Sequence, residues 1–208
     1  MLSNCCASDL RGLPMIRRAP AGTALMAMLL LAGCGTLPGA GSGDDLSADP
    51  RFDRATHALQ AGVADEAEQL LDGLATDYPE LSGPLLNLGI LHAAAGRLEA
   101  AEAAFRQVLE MAPADAVAHA ELGIVLRRQG RFAEADASYR EALALQPDYA
   151  LAWRNRGVLL DLYLGRPAEA LQCYERYLDL VGGLEADEQV ARWVAELQLR
   201  STSRVATR

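Results

Sequence analysis

One pattern occurs twice in succession, as SGPLLNLGILHAAAGRLEAAEAAFRQVLEMAPAD over Ser82–Asp115 and as AVAHAELGIVLRRQGRFAEADASYREALALQPDY over Ala116–Tyr149. The pairs Leu88-Gly89 and Gly96-Arg97 of the first stretch return at the same places in the second. A fixed period of about this length is the sequence signature of a stack of repeating structural units. The fold prediction therefore starts from this period.

The period extends beyond both ends of this stretch. It predicts four repeats, over residues 48–81, 82–115, 116–149 and 150–183. The fourth repeat has one inserted residue between Gly157 and Gly165. Residues 48–183 are therefore expected to form one array.

Each repeat predicts two helices. In the second repeat, Leu85, Leu88 and Leu91 follow the helical period on a first stripe, and a second apolar stripe begins after Gly96. A glycine between two such stripes is suited to the left-handed residue that ends a helix. Pro113 ends the second helix, because proline lacks an amide donor and clashes with the preceding turn. We therefore expect an all-α chain.

A glycine also recurs inside each later first helix, at Gly89, Gly123 and Gly157. Glycine in a helix costs about 1 kcal/mol relative to alanine, which suggests that the two helices approach closely there. We expect small residues to face these glycines, namely Ala67, Ala101, Ala135 and Ala170. We expect aromatic residues to fill the space between repeats, namely Phe105, Tyr139 and Tyr174.

This pattern resembles the tetratricopeptide repeat family, in which Trp, Leu-Gly, Tyr, Ala, Phe, Ala and Pro recur at set places in every repeat. Trp153 stands at the Trp place of the fourth repeat, whereas Arg54 and Arg156 replace the usual Leu and Gly182 replaces the closing Pro. The resemblance implies a right-handed superhelical solenoid of about four helix-turn-helix repeats with a C-terminal capping helix. It also implies a groove, lined by the first helices, that holds a peptide or a helix of a partner.

The resemblance places nine residues in this groove: Leu86, Asn87, Ile90, Ile124, Arg127, Arg128, Arg154, Asn155 and Val158. The groove is largely aliphatic, which suits an amphipathic segment. Its three arginines are suited to bind carboxylates. The alternative is that they pair with nearby acids of the same chain, such as Asp161.

The amino terminus predicts a secretory signal over residues 1–33, with Arg17-Arg18 followed by the short apolar run Ala21–Ala32. Met15 is an alternative start. Leu31-Ala32-Gly33-Cys34 resembles the bacterial lipoprotein signal, which implies that Cys34 carries a diacylglycerol and a fatty acid. The alternative is an ordinary signal peptide with a chance cysteine.

The residues after Cys34 bear on location. In lipoproteins an aspartate in the next position commonly signals retention in the inner membrane, and Gly35 stands there instead. The resemblance therefore favours the periplasmic face of the outer membrane, with an inner-membrane lipoprotein as the alternative. Residues 34–47 are rich in Gly, Ser and Pro and predict a flexible acylated tether.

Residues 184–208 predict a capping helix and a frayed tail. Gly182-Gly183 ends the fourth repeat, and a group of acids then favours a helix start: Glu185, Asp187 and Glu188. One apolar stripe follows, made of Val190, Trp193, Val194 and Leu197. A helical stack needs a last helix to cover its apolar end, so Trp193 is expected to be a lid. The alternative is that its face recruits a partner. Ser201–Arg208 is expected to fray.

The sequence contains no recognisable catalytic or metal-binding set. His57, His92 and His119 lie in three different repeats, and none pairs with a Cys or a carboxylate at metal-ligand spacing. Cys173 is expected to be a small packing residue. The net charge of −9 disfavours nucleic acid as a partner. No cofactor is expected apart from the lipid on Cys34.

These features predict a non-catalytic interaction scaffold, anchored by lipid in the bacterial envelope. Lipoproteins of similar build act in envelope, pilus or secretion assembly. The expected partner is another envelope protein, bound through an extended or helical segment. The alternative function is an accessory or regulatory subunit of a periplasmic cell-wall enzyme.

Overall fold

The computed structural model describes residues 49–206, with side chains as far as residue 200. The predicted signal peptide, Cys34 and the tether lie outside the described residues. Within them, every element of regular structure is an α-helix, which confirms the all-α prediction.

Nine helices are found in the described range: α1 (Pro50–Ala61), α2 (Ala64–Asp77), α3 (Ser82–Ala94), α4 (Leu98–Met111), α5 (Ala116–Arg128), α6 (Phe132–Leu145), α7 (Ala150–Leu162), α8 (Pro167–Val181) and α9 (Glu188–Ala206). The first eight form one helix pair in each predicted repeat. The described chain divides into two compact units, an N-terminal unit over residues 49–87 and a C-terminal unit over residues 88–206.

The turn within each pair contains the glycine that the sequence places between the two stripes. Gly96 and Gly130 both have a φ of 79°, which is left-handed and favours glycine. Pro113 lies just beyond the last residue of α4, and Pro147 lies just beyond that of α6. The predicted helix ends are therefore confirmed.

The glycines inside the first helices pack differently from the sequence prediction. A Cβ atom on Gly123 would lie 2.8 Å from Cε1 of Tyr139, and one on Gly157 would lie 2.6 Å from Cε1 of Tyr174. Each aromatic ring thus lies on the glycine of its own repeat. The atoms nearest to these glycines therefore belong to aromatic rings and not to the alanines that the sequence suggested. A flat ring fits the space that the absent side chain leaves, so the ring can lie directly on the helix backbone.

The N-terminal unit is held at its start by a charged cluster. Asp49 caps α1 by accepting a hydrogen bond from the Arg51 amide at 2.9 Å. The Arg51 guanidinium also reaches Asp77, at the end of α2, with 2.6 Å between Nη1 and Oδ2. Hydrogen bonds from Arg51 lower the pKa of Asp49 to about 2. The cluster joins the beginning of α1 to the end of α2.

In the C-terminal unit, acids on second helices pair with arginines of the following repeat. Glu102 on α4 lies 2.5 Å from Arg131, and Asp136 on α6 lies 2.8 Å from Arg156. The two acids hold the same place in successive repeats and are both buried. The acid at this position of the repeat therefore links one repeat to the next. Arg156, which stands where the family usually has Leu, takes part in one of these links.

Helix α9 covers α8, as predicted for a cap. Val190, Val194 and Leu197 are buried against α8, and the Trp193 ring centroid lies 5.4 Å from that of Tyr174. Asp187 Oδ1 accepts the amides of Gln189 and Val190, both at 3.1 Å.

Both ends of α9 differ from the prediction. Because Asp187 makes the N-terminal cap, the helix begins at Glu188 and Glu185 lies before it. The helix continues to Ala206, so residues 201–206 are helical and not a frayed tail. No glycine or proline interrupts this stretch, so nothing in the sequence ends the helix earlier.

Candidate partner-binding face

Two of the nine predicted groove residues belong to the N-terminal unit. Leu86 and Asn87 are buried, with 1% and 4% of their surfaces exposed. The Asn87 side-chain amide donates a hydrogen bond to the Gly83 carbonyl at 2.9 Å. These two side chains therefore have little surface to offer to a partner.

The other predicted residues belong to the C-terminal unit. We call six of them, on two helices in contact, the first-helix face: Ile124, Arg127 and Arg128 of α5, and Arg154, Asn155 and Val158 of α7. Ile90 of α3 is in the same unit and is half-buried. Ile124 and Val158 are also half-buried, so aliphatic surface on this face remains open to solvent.

The three arginines of the first-helix face each contact a group of the same chain. The guanidinium of Arg127 lies over the Tyr163 ring, 5.8 Å from its centroid. Arg128 Nη1 donates a hydrogen bond to the Ala93 carbonyl, near the end of α3. The positive charge of these two residues is therefore partly engaged before any partner arrives.

Arg154 is engaged by the capping helix. Its guanidinium lies 5.5 Å from the centroid of the Trp193 ring, and its Nε lies 3.8 Å from Asp187 Oδ2. Asp161, which the sequence offers as an internal partner for these arginines, lies instead 3.4 Å from Arg200 of α9. Helix α9 thus contacts one arginine and one acid of α7.

Sequence reasoning missed Glu121, a half-buried acid on α5 one turn before Ile124. Among the described residues, no side chain forms a hydrogen bond or an ion pair with it. Burial raises the pKa of its carboxyl group to about 7. Two tyrosine hydroxyls interact with it electrostatically, those of Tyr139 on α6 and Tyr149 at the start of α7. Glu121 is thus an acid near its titration point at neutral pH.

The repeat itself contained the signal that would have found Glu121. It lies one full repeat after Asn87 and one full repeat before Asn155, both of which were predicted to line the groove. An alignment of the repeats by position, instead of a search for aliphatic and basic residues, would have included it.

In the C-terminal unit, His119 makes a hydrogen bond to the backbone and Cys173 is buried. His119 Nε2 donates to the Pro113 carbonyl at 3.1 Å, and Trp153 Nε1 donates to the Pro147 carbonyl at 2.9 Å. The His119 imidazole therefore makes, in the third repeat, the same contact that the Trp153 indole makes in the fourth. Burial raises the pKa of the Cys173 thiol to about 11, so the thiol is protonated and weakly nucleophilic at neutral pH.

Residues 49–206 contain neither a metal-binding group nor a membrane-spanning helix. Nowhere in that range do three His, Cys, Asp or Glu side chains form a group that could hold a metal ion. No helix there combines the length and the apolar character needed to cross a membrane.

Two models of the tetratricopeptide repeat match the chain. One matches residues 114–181, and the other matches residues 52–116 and 86–135, so together they cover more than half of the sequence. The chain belongs to the tetratricopeptide repeat family. Tetratricopeptide repeat proteins bind other proteins, and this one is a protein-interaction scaffold with an α-helical repeat fold.

Solved structures agree with this assignment. MamA from Desulfovibrio magneticus RS-1 is 20% identical, covers 76% of this chain and 86% of its own, and has a TM-score of 0.64. TTC0263, a tetratricopeptide repeat protein of Thermus thermophilus, is 24% identical, covers 72% and 84%, and scores 0.63. PilF from Pseudomonas aeruginosa is 23% identical, covers 76% and 70%, and scores 0.66. At these identities the likeness shows the fold alone. No curated protein sequence is significantly similar to this chain.

Proposed function

We propose that this tetratricopeptide repeat protein is a non-catalytic adaptor on the periplasmic face of the outer membrane. In this proposal, a diacylglycerol and a fatty acid on Cys34 anchor the chain, residues 34–47 form the tether, and the repeats hold another envelope protein. The sequence Leu31-Ala32-Gly33-Cys34 after a short apolar run supports the anchor. Gly35 after the cysteine supports the outer membrane.

The observation that carries the binding role is the open aliphatic surface of the first-helix face. Helix α9 covers the apolar end of the array, so that end needs no partner. Ile124 and Val158 are nevertheless only half-buried, and they lie on neighbouring first helices. An aliphatic surface of this kind suits the apolar side of an extended or helical segment.

The anchor is tested by metabolic labelling with palmitate. The wild-type chain is expected to incorporate label, to sediment with the outer membrane, and to begin at an acylated Cys34 by mass spectrometry. The variant Cys34→Ser is expected to lose both label and sedimentation. An unlabelled wild-type chain, or one cleaved elsewhere, would overturn the anchor while leaving the binding role standing.

The binding role is tested by co-purification after crosslinking in living cells, with Ile124→Asp as the test variant. Leu145→Asp is the matched control, because Leu145 is 44% exposed but lies on the second helix α6. We expect the partner to be lost with Ile124→Asp alone. Equal capture by both variants would overturn the role of this face. Capture of a cell-wall hydrolase would favour the alternative, an accessory subunit of that enzyme.

A further inference from the structure

We propose that the segment held at the first-helix face carries a basic side chain, lysine or arginine, and that Glu121 receives it. This inference rests on the proposed adaptor function and goes beyond it by naming the chemistry of the partner. Glu121 is a specificity-determining residue in this proposal, and the aliphatic neighbours supply the remaining contact.

Glu121 lies on α5 beside Ile124 of the first-helix face. It precedes Ile124 by one helical turn, so the acid and the open aliphatic side chain lie on the same side of α5. A segment packed on Ile124 therefore passes within reach of the carboxyl group. The three arginines of the first-helix face already contact Tyr163, the Ala93 carbonyl, and Trp193 with Asp187. Glu121, by contrast, makes no hydrogen bond or ion pair with a side chain among the described residues.

A buried hydroxyl, that of Tyr139, interacts electrostatically with Glu121. Tyr139 is fully buried, and its hydroxyl also interacts with Arg127 of α5. Burial raises the pKa of this hydroxyl, Arg127 opposes the shift, and Glu121 adds to it. The raised pKa keeps this hydroxyl uncharged at neutral pH, so it supplies no positive charge to Glu121 and leaves the carboxyl group to a cation from outside.

The electrostatic environment of the Glu121 carboxyl group also bears on the charge of the partner. An acid that is partly removed from water and lacks a positive neighbour gains more from an incoming cation than an exposed acid does. The nearest packed helices offer no internal substitute. Glu102 on α4 already forms ion pairs with Arg106 and Arg131. The groups of α6 and of the start of α7 that interact with Glu121 are the tyrosines Tyr139 and Tyr149. Charge complementarity therefore favours a basic partner residue over an acidic or a neutral one.

The test is a selection of short helical peptides from a displayed random library on the purified full-length chain in detergent. The selection is run in parallel on the wild type, Glu121→Gln, Ile124→Asp and the control Glu141→Gln. Glu141 is an exposed acid on α6. We expect the wild type and Glu141→Gln to enrich the same peptides, with Lys or Arg at one fixed position. Peptides from Glu121→Gln should retain the aliphatic positions and lose the basic one.

The outcomes separate this inference from the adaptor proposal. Peptides that depend on Ile124 but show no basic preference would overturn the role of Glu121 and leave the adaptor function in place. A basic preference that persists on Glu121→Gln would overturn it as well. If no peptide depends on Ile124, the binding face itself is wrong, and this inference falls with it.

A pH series on one enriched peptide gives a second readout. A basic side chain binds the ionised carboxylate, so affinity should rise as the pH passes through about 7, where free Glu121 titrates. Between pH 6 and pH 8 the expected gain in affinity is about tenfold for the wild type. Affinity should be nearly constant over the same range for Glu121→Gln. A pH profile shared by the two proteins would overturn the proposal.

Discussion

At the scale of single residues, the contact between a helical glycine and an aromatic ring defines each of the later repeats. The sequence predicted a close approach at Gly123 and its equivalents, because a repeated glycine in a helix needs a reason. It did not predict the group that approaches. Which side chain meets the glycine depends on how the second helix is rotated about its own axis. The repeat period is the same for any rotation, so it could not predict that side chain.

Substitution of Gly123 by alanine should destabilise the chain. The new Cβ atom would lie 2.8 Å from the Tyr139 ring, which is too close without a shift of ring or helix. Overpacking costs about 1–3 kcal/mol, against a gain in helix propensity of about 1 kcal/mol, so we expect a net loss of up to about 2 kcal/mol. The measurement is the free energy of unfolding in urea.

The matched control is Gly73→Ala in α2. Its Cβ atom would lie 3.5 Å from the flexible end of Arg51, so only the propensity gain of up to about 1 kcal/mol applies. Equal effects of the two substitutions would contradict the glycine–ring contact.

Glu121 should make stability depend on pH. Its folded-state pKa of about 7 is raised above the unfolded value of 4.5, so the folded state holds the proton more tightly. Its contribution is therefore fully present below about pH 4.5 and is lost as the pH rises to about 7. We expect Glu121→Gln to match the wild type near pH 4.5 and to be more stable by about 3 kcal/mol at pH 8. A difference that does not change with pH between these limits would rule out a buried, unpaired carboxyl group.

At the scale of helices, the sequence predicted their number in the repeats, their order and their ends. The period, the turn glycines and the prolines act locally, so these features could be inferred without tertiary structure. The contacts of Arg127, Arg128 and Arg154 could not, because each involves a residue of another helix. The same holds for the start of α9, where three acids stand close together and only the geometry selects Asp187 as the cap.

Removal of the Asp187 side chain should loosen the capping helix. Its Oδ1 accepts two amides of α9, and its Oδ2 accepts the Tyr177 hydroxyl at 2.9 Å. We expect Asp187→Ala to cost about 1–2 kcal/mol and to speed hydrogen exchange at the first turn of α9. Tyr177→Phe, which removes the hydroxyl bond alone, should cost about 1 kcal/mol and leave that exchange nearly unchanged. Faster exchange with Tyr177→Phe than with Asp187→Ala would contradict the cap.

At the scale of the whole molecule, the chain is acidic and all 19 of its basic residues are arginines. In the C-terminal unit, several of these arginines join one repeat to the next through Glu102 and Asp136. Arg127, Arg128 and Arg154 of the predicted groove also contact groups of the same chain, so the groove is less positive than the sequence predicted. Ile124 and Val158 of the first-helix face keep part of their aliphatic surface open to solvent.

The central claim is that this protein acts by holding a partner on the first-helix face. The most direct test is photocrosslinking in living cells from a photoreactive residue at position 124, with position 107 as the control. Gln107 is exposed on the second helix α4. We predict a discrete crosslinked envelope protein from position 124 and none from position 107. The same products from both positions, or none from position 124, would contradict the account.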